Sequence, residues 1–319
     1  MGETENSPLL MAATAAANDA QMLCEDIAQL LFPRVLNAPS EATLASTRLI
    51  LQNLVLGIER SLDLSGNATA PASWDMLCRS GLLREAAFLE FALARHAEDQ
   101  IRERVDLNGL ELFDCLPNRL IHSADPVISE CARNLVIAEN TVQLNSPKGL
   151  VQQMPADLLH LLVWRIVAVF QFAEVQTGSL LIASANKLLA SHDEAKAVQS
   201  AAAKLAYFLP QEERQLLADP VKAGVPLYVS GLAHDFGIPH DRILRFIAED
   251  DVTPLLLLLR ARGHDAQTAL GIVQLLRLGA QDDHLLPKLM LQFEQVEPDA
   301  AKAEILSWRL SRGTVWKPN

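Results

Sequence analysis

The residues best suited to chemistry gather in one stretch, GLAHDFGIPHDRILRFIAEDD, spanning 231–251. His234-Asp235 sets an imidazole beside a carboxylate, a pair that can ligate a divalent cation or pass a proton. Further on, His240 and Asp241 open a second segment with Arg242 and Arg245, whose guanidinium groups can contact phosphates or base edges. The stretch therefore reads as a metal site, as a DNA-reading helix-turn-helix, or as two ordinary helices joined by a tight turn. Two further groups carry polar chemistry. His96, in LARHAEDQIRERV, sits among acids on a long helix and could act as a phosphoacceptor in a phosphotransfer protein. His160 and Trp164 lie one helical turn apart beside Arg165, as a polar seam between domains would.

The metal reading rests on a resemblance. HDFGIPHDRIL resembles the HDIGKxxIPxxIL signature of HD-type metal phosphohydrolases, an all-helical family. The resemblance implies an upstream His, the His-Asp pair and a downstream His or Asp, holding metals that activate a water against a phosphate ester. On this chain those positions fall on His192, His234, Asp235 and His264, with Asp282 and Asp283 beyond. The chain departs from the pattern: Ile238 stands where the family has lysine, and His192 lies in a Ser-His-Asp-Glu stretch that reads as a helix cap. Four His-Asp dipeptides occur, at 192, 234, 240 and 264, so one falling in a matching frame is unremarkable.

The helix-turn-helix reading rests on spacing. Ala233, Gly237 and Ile243 occupy the positions at which two helices cross closely through a short turn. Leu232, Phe236, Ile238 and Phe246 fall where such a motif buries side chains. The reading face would carry His240, Arg242 and Arg245, but it runs into Glu249, Asp250 and Asp251, which repel phosphate. A hairpin within a stack of helices uses the same contacts and asks nothing of the His and Asp side chains.

These residues must be positioned by helices. The chain of 319 residues is half hydrophobic, 5% aromatic, rich in Leu and Ala and poor in Gly. Apolar spacing predicts helices over 19–31, 40–62, 82–105, 108–116 and 126–140. A polar segment with two prolines, 141–155, separates an N-terminal helical bundle (1–150) from a C-terminal stack of helical hairpins (151–319), an all-α, α-solenoid-like arrangement. Along the long helix, Arg95, Glu98, Asp99, Arg102, Glu103 and Arg104 read as a solvated charged face.

The formal net charge of −12, with no basic block, disfavours nucleic acid and anionic lipid as partners. Cys24, Cys78, Cys115 and Cys131 have no metal-site spacing and read as reduced thiols. The N-terminus lacks the basic region of a signal peptide, and Arg165 interrupts the most apolar run, so the expectation is a cytoplasmic protein without a membrane span. No nucleotide-binding glycine loop, HExxH or GxSxG motif occurs, and no cofactor is expected.

Three stretches carry a second resemblance: MPADLLHLLVWRIVAVF (154–170), TPLLLLLRARGHDAQTALGIVQLLRL (253–278) and DAAKAEILSWRLSR (299–312). Together they resemble an uncharacterised bacterial family with a HEAT-like helical-repeat domain of unknown function. The shared features are packing motifs, so the resemblance implies a helical architecture and no catalytic residues. The expected function is a non-catalytic scaffold or regulatory, signalling protein that binds another protein, with a homodimer as one form of that partnership.

Overall fold

The computed structural model describes residues 40–64, 68–107, 115–141, 146–173, 178–248, 251–276 and 286–310. The expected helix over 19–31 and most of the one over 108–116 lie outside these residues, as do Asp282 and Asp283. Among the described residues every regular element is helical. Ser40 caps α1 (Glu41–Ser61) by accepting from Thr43 N at 3.1 Å, satisfying one of the free amides of the first turn. There follow α2 (Trp74–Arg79) and, after a 3-10 turn at Leu82–Arg84, the long α3 (Ala86–Leu107). Next come α4 (Leu116–Leu120), α5 (Pro126–Thr141), α6 (Pro147–Gln153), α7 (Ala156–Ala173) and α8 (Gly178–Ser191). A 3-10 turn at Glu194–Lys196 leads into α9 (Val198–Phe208) and the short α10 (Gln211–Arg214). After a turn at Gln215–Ala218 the chain forms α11 (Pro220–Ala223), α12 (Val225–Phe236) and α13 (His240–Ala248). It ends in α14 (Thr253–Ala261), α15 (Ala266–Leu276), α16 (Leu286–Gln295) and α17 (Pro298–Leu310).

The apolar faces of these helices form two cores. The first takes Leu54 and Ile58 from α1, Leu77 from α2, Phe88 from α3, Leu150 from α6 and Leu162 from α7. The second takes Ile101 from α3, Leu135 from α5, Leu205 from α9, Tyr228 from α12, Ile243 from α13 and Leu258 from α14. Helix α3 serves both: Phe88, Phe91 and Ala92 face the first core, and Ala94, Ala97, Ile101 and Val105 face the second. The expected boundary at residues 150/151 falls inside α6, and each core draws helices from both sides of it.

Sequential hairpins do occur, as α12 against α13 and α14 against α15. Contacts are not confined to neighbours, however. Helix α3 packs against α13 and α15, and α9 packs against both α5 and α12. A solenoid repeat touches only the repeats beside it, so this arrangement is not a one-dimensional stack.

The prolines of 141–155 do not open a linker here. Ser146 accepts from Gly149 N at 3.0 Å and Pro147 starts α6, which packs against α1. The approach is close at Gly57, where a Cβ would run into the carbonyl oxygen of Pro147. Buried Glu59 ties the loop before α2 back to α1, accepting from Ala72 N at 2.9 Å, Ser73 N at 2.8 Å and Ser73 Oγ at 2.7 Å.

Candidate functional site

Helix α12 ends as the spacing of Ala233, Gly237 and Ile243 predicts. Gly237 adopts a left-handed conformation with φ of 61°, and Ile238 N donates to Ala233 O at 3.2 Å, closing the helix end. Pro239 then leads into α13, with Ile238 and Ile243 buried. The two-helix geometry is present, but its expected DNA-reading face is not exposed. His240 keeps only 7% of its surface and shares a 3.0 Å hydrogen bond with Ser230 Oγ through Nδ1. Burial, reinforced by the nearby Arg95 cation, pushes the His240 pKa down to about 3. Arg242 lies over the Phe246 ring at 5.4 Å. With Arg245 it lines a groove of 180 Å³ closed by Glu90 and Phe91 of α3 and Leu158 of α7. Both side chains are thus half-buried at the junction of three helices.

That junction holds a charge cluster which sequence reasoning placed in solvent. Arg95 is 2% exposed and Glu98 5% exposed. Arg95 Nη1 donates to Glu98 Oε2 at 2.6 Å, and Arg95 Nη2 donates to Asp241 Oδ1 at 2.7 Å. The pair with Asp241 clamps α13 onto α3 at the point where the two cores meet. Arg102 reaches Glu98 Oε1 at 3.7 Å. Half-buried Asp99 and Glu139 complete the cluster. Burial, with the Glu98 carboxylate adding to it, raises Asp99 to about 6. Burial raises Glu139 to about 7 against the opposing pull of Arg102. The face was misread because α3 packs against helices far away in sequence, α13 and α15, which no local pattern announces.

His96, on the same helix, is half-buried, and its Nε2 lies inside the fold without a hydrogen-bond partner. Desolvation lowers its pKa. The expected exposure of this phosphoacceptor is corrected: the ring is half-buried and its Nε2 is enclosed by the fold.

The four residues placed by the HD-type resemblance do not converge. His192 Nε2 is 3.0 Å from Met154 O, at the end of α8. His234 and Asp235 close α12, but Asp235 Oδ2 pairs with Arg262 Nη2 at 3.0 Å rather than facing a second imidazole. His264 follows α14, with its Nε2 buried and unpartnered and its pKa lowered by burial and by Arg262. Among the described residues, no three His, Cys, Asp or Glu side chains are grouped to hold a metal ion.

His234 and Asp235 instead line a polar cleft of 460 Å³. Its other walls are Arg214 and Gln211 of α10, Gln215 and Leu217 of the following turn, Gly231 of α12 and Arg262. Both guanidinium groups are held by backbone carbonyls. Arg214 donates to Leu209 O at 2.9 Å and Tyr207 O at 2.8 Å. Arg262 donates to Leu217 O at 2.8 Å and lies over the buried Tyr228 ring at 6.0 Å. Gly231 gives it room: a Cβ there would meet Leu217 at 3.2 Å and Arg262 Nη2 at 3.5 Å.

His160 and Arg165 are exposed, and Trp164 is half-buried against the first core. Trp164 Nε1 donates to His160 Nε2 at 3.0 Å. These residues lie on an outer face of α7, which corrects their placement in a seam between domains. Helix α8 packs on α7 and covers it only in part. Within GSLLIASANKLLAS, only Leu181 and Ala185 are buried, while Leu180 is 74% and Ile182 38% exposed.

No family model, curated protein or solved structure matches the chain. No described helix is long and apolar enough to cross a membrane.

Proposed function

We propose that the protein is a non-catalytic helical module that acts by binding another protein, and that α8 is its contact helix. The observation that carries this reading is the mismatch between the composition of α8 and its burial. Its sequence is apolar around much of its circumference, yet the fold buries only Leu181 and Ala185 and half-buries Leu188 and Leu189 against the first core, leaving Leu180 and Ile182 exposed. A helix that buries one narrow stripe and exposes Leu180 and Ile182 gains by covering the rest against a partner's apolar side chains. The resemblance to a helical-repeat family supports the same reading, because its shared residues are packing residues. The net charge of −12 favours basic partners over nucleic acid.

Quantitative affinity capture tests this, with the wild type beside a Leu180→Asp/Ile182→Asp variant. Both substitutions sit on exposed positions, so the variant keeps its fold. The expected result is at least one protein, a second copy of the chain included, held by the wild type and lost by the variant. Identical capture by both would remove α8 from the function.

A further inference from the structure

We propose that the cleft around His234 is a binding site for a small oxyanion, a carboxylate or a phosphate, with Arg214 and Arg262 as its cationic anchors. This does not depend on α8 or on any protein partner. The cleft has the volume of a small-molecule site, and its polar groups converge from three places in the chain. The Arg262 side chain is 11% exposed, nine-tenths withdrawn from water, yet it lines the cleft. The contacts of Arg214 engage Nε and Nη2, and those of Arg262 engage Nη1 and Nη2, which leaves N–H donors on each fork. Carbonyl anchoring fixes both guanidinium planes before anything binds, so little side-chain freedom is lost when a planar oxyanion docks.

Asp235 is the built-in competitor. Its carboxylate, 40% exposed, occupies Arg262 Nη2 at 3.0 Å in the way a ligand carboxylate would. An arriving oxyanion takes that nitrogen and releases Asp235 to solvent, and His234 on the rim supplies a further N–H. Glu212 and Glu213, just before Arg214 on α10, weaken the field and restrict the site to ligands able to engage both guanidinium groups. Gln211 and Gln215 can donate to or accept from the remainder of the molecule.

The test is isothermal titration with sodium phosphate and, separately, sodium citrate, with ionic strength held constant by sodium chloride. The proteins are the wild type, Arg214→Ala and Asp235→Asn. The expected result is saturable binding of at least one probe, weakened tenfold or more in Arg214→Ala and tightened about tenfold in Asp235→Asn, where Arg262 has lost its competitor. Phosphate alone binding assigns a phosphoryl ligand, and citrate alone a carboxylate. Absence of saturable binding in both the wild type and Asp235→Asn would overturn the proposal, as would equal affinity in all three proteins. Should Arg214→Ala fail to fold, Arg214→Lys keeps the charge without the fork and must also weaken binding.

Discussion

Arg95 is the residue on which the two halves of the molecule lean. Its guanidinium is withdrawn from water, and the carboxylates of Glu98 and Asp241 compensate its charge from two helices. Asp241→Asn keeps the shape and removes one of these charges. We expect it to lower stability by about 2 kcal/mol, read as a shift in the urea midpoint at unchanged slope. The same cluster makes stability depend on pH. Asp99 and Glu139 are raised to about 6 and about 7, above their ordinary values of 3.8 and 4.5. Their stabilising effect is therefore complete below those ordinary values and lost as pH rises through 6 and 7. His240 works in the opposite sense. Held down to about 3, it contributes stability above its ordinary 6.5 that is lost as pH falls toward 3. Glu139→Gln removes the Glu139 part of the first effect and leaves that of Asp99, so its stability relative to the wild type should rise between pH 5 and pH 8, measured by urea denaturation. A constant difference across that range would contradict the assignment. At this scale the sequence was least legible. His234, Asp235, His240 and Arg95 could all be singled out or placed on a helix. Which of them face solvent, each other or a carbonyl depends on helices far away in the chain.

Helices were more legible, because caps and apolar spacing act locally. Ser40 with α1, Pro126 with α5 and the α12–α13 turn at Gly237 all fall where their residues predict. Segment 141–155 was misread for a physical reason. Proline at the first helical turn and proline in a linker look alike without knowledge of what the segment packs against, and here Pro147 begins α6 against α1. The closeness of that packing gives a prediction. Gly57→Ala drives a methyl group into the Pro147 carbonyl, which is backbone and cannot rotate away. It should cost about 1–3 kcal/mol, whereas a substitution to alanine at Gly271, where nothing lies within 4 Å, should not destabilise. Denaturant midpoints of the two variants make the comparison.

Across the whole molecule, the all-α class followed from composition, while the expected stack of neighbours did not describe how the helices meet. Helix α3 runs through both cores, so neither can lose it without exposing apolar surface in the other. We therefore expect a single cooperative transition. Single-tryptophan variants reporting from the first core (Trp164) and from the second (Trp308) should unfold at the same urea concentration. Separated midpoints would mean that the halves fold independently. What reaches outward from this frame is the uncovered side of α8, and the most direct measurement addresses it. A photo-crosslinking residue in place of Leu180, activated in intact cells, should give one defined crosslinked species, and the same residue in place of Lys222, an exposed position on α11, should not. No crosslink at 180, or the same products from both positions, would contradict a partner-binding role for α8.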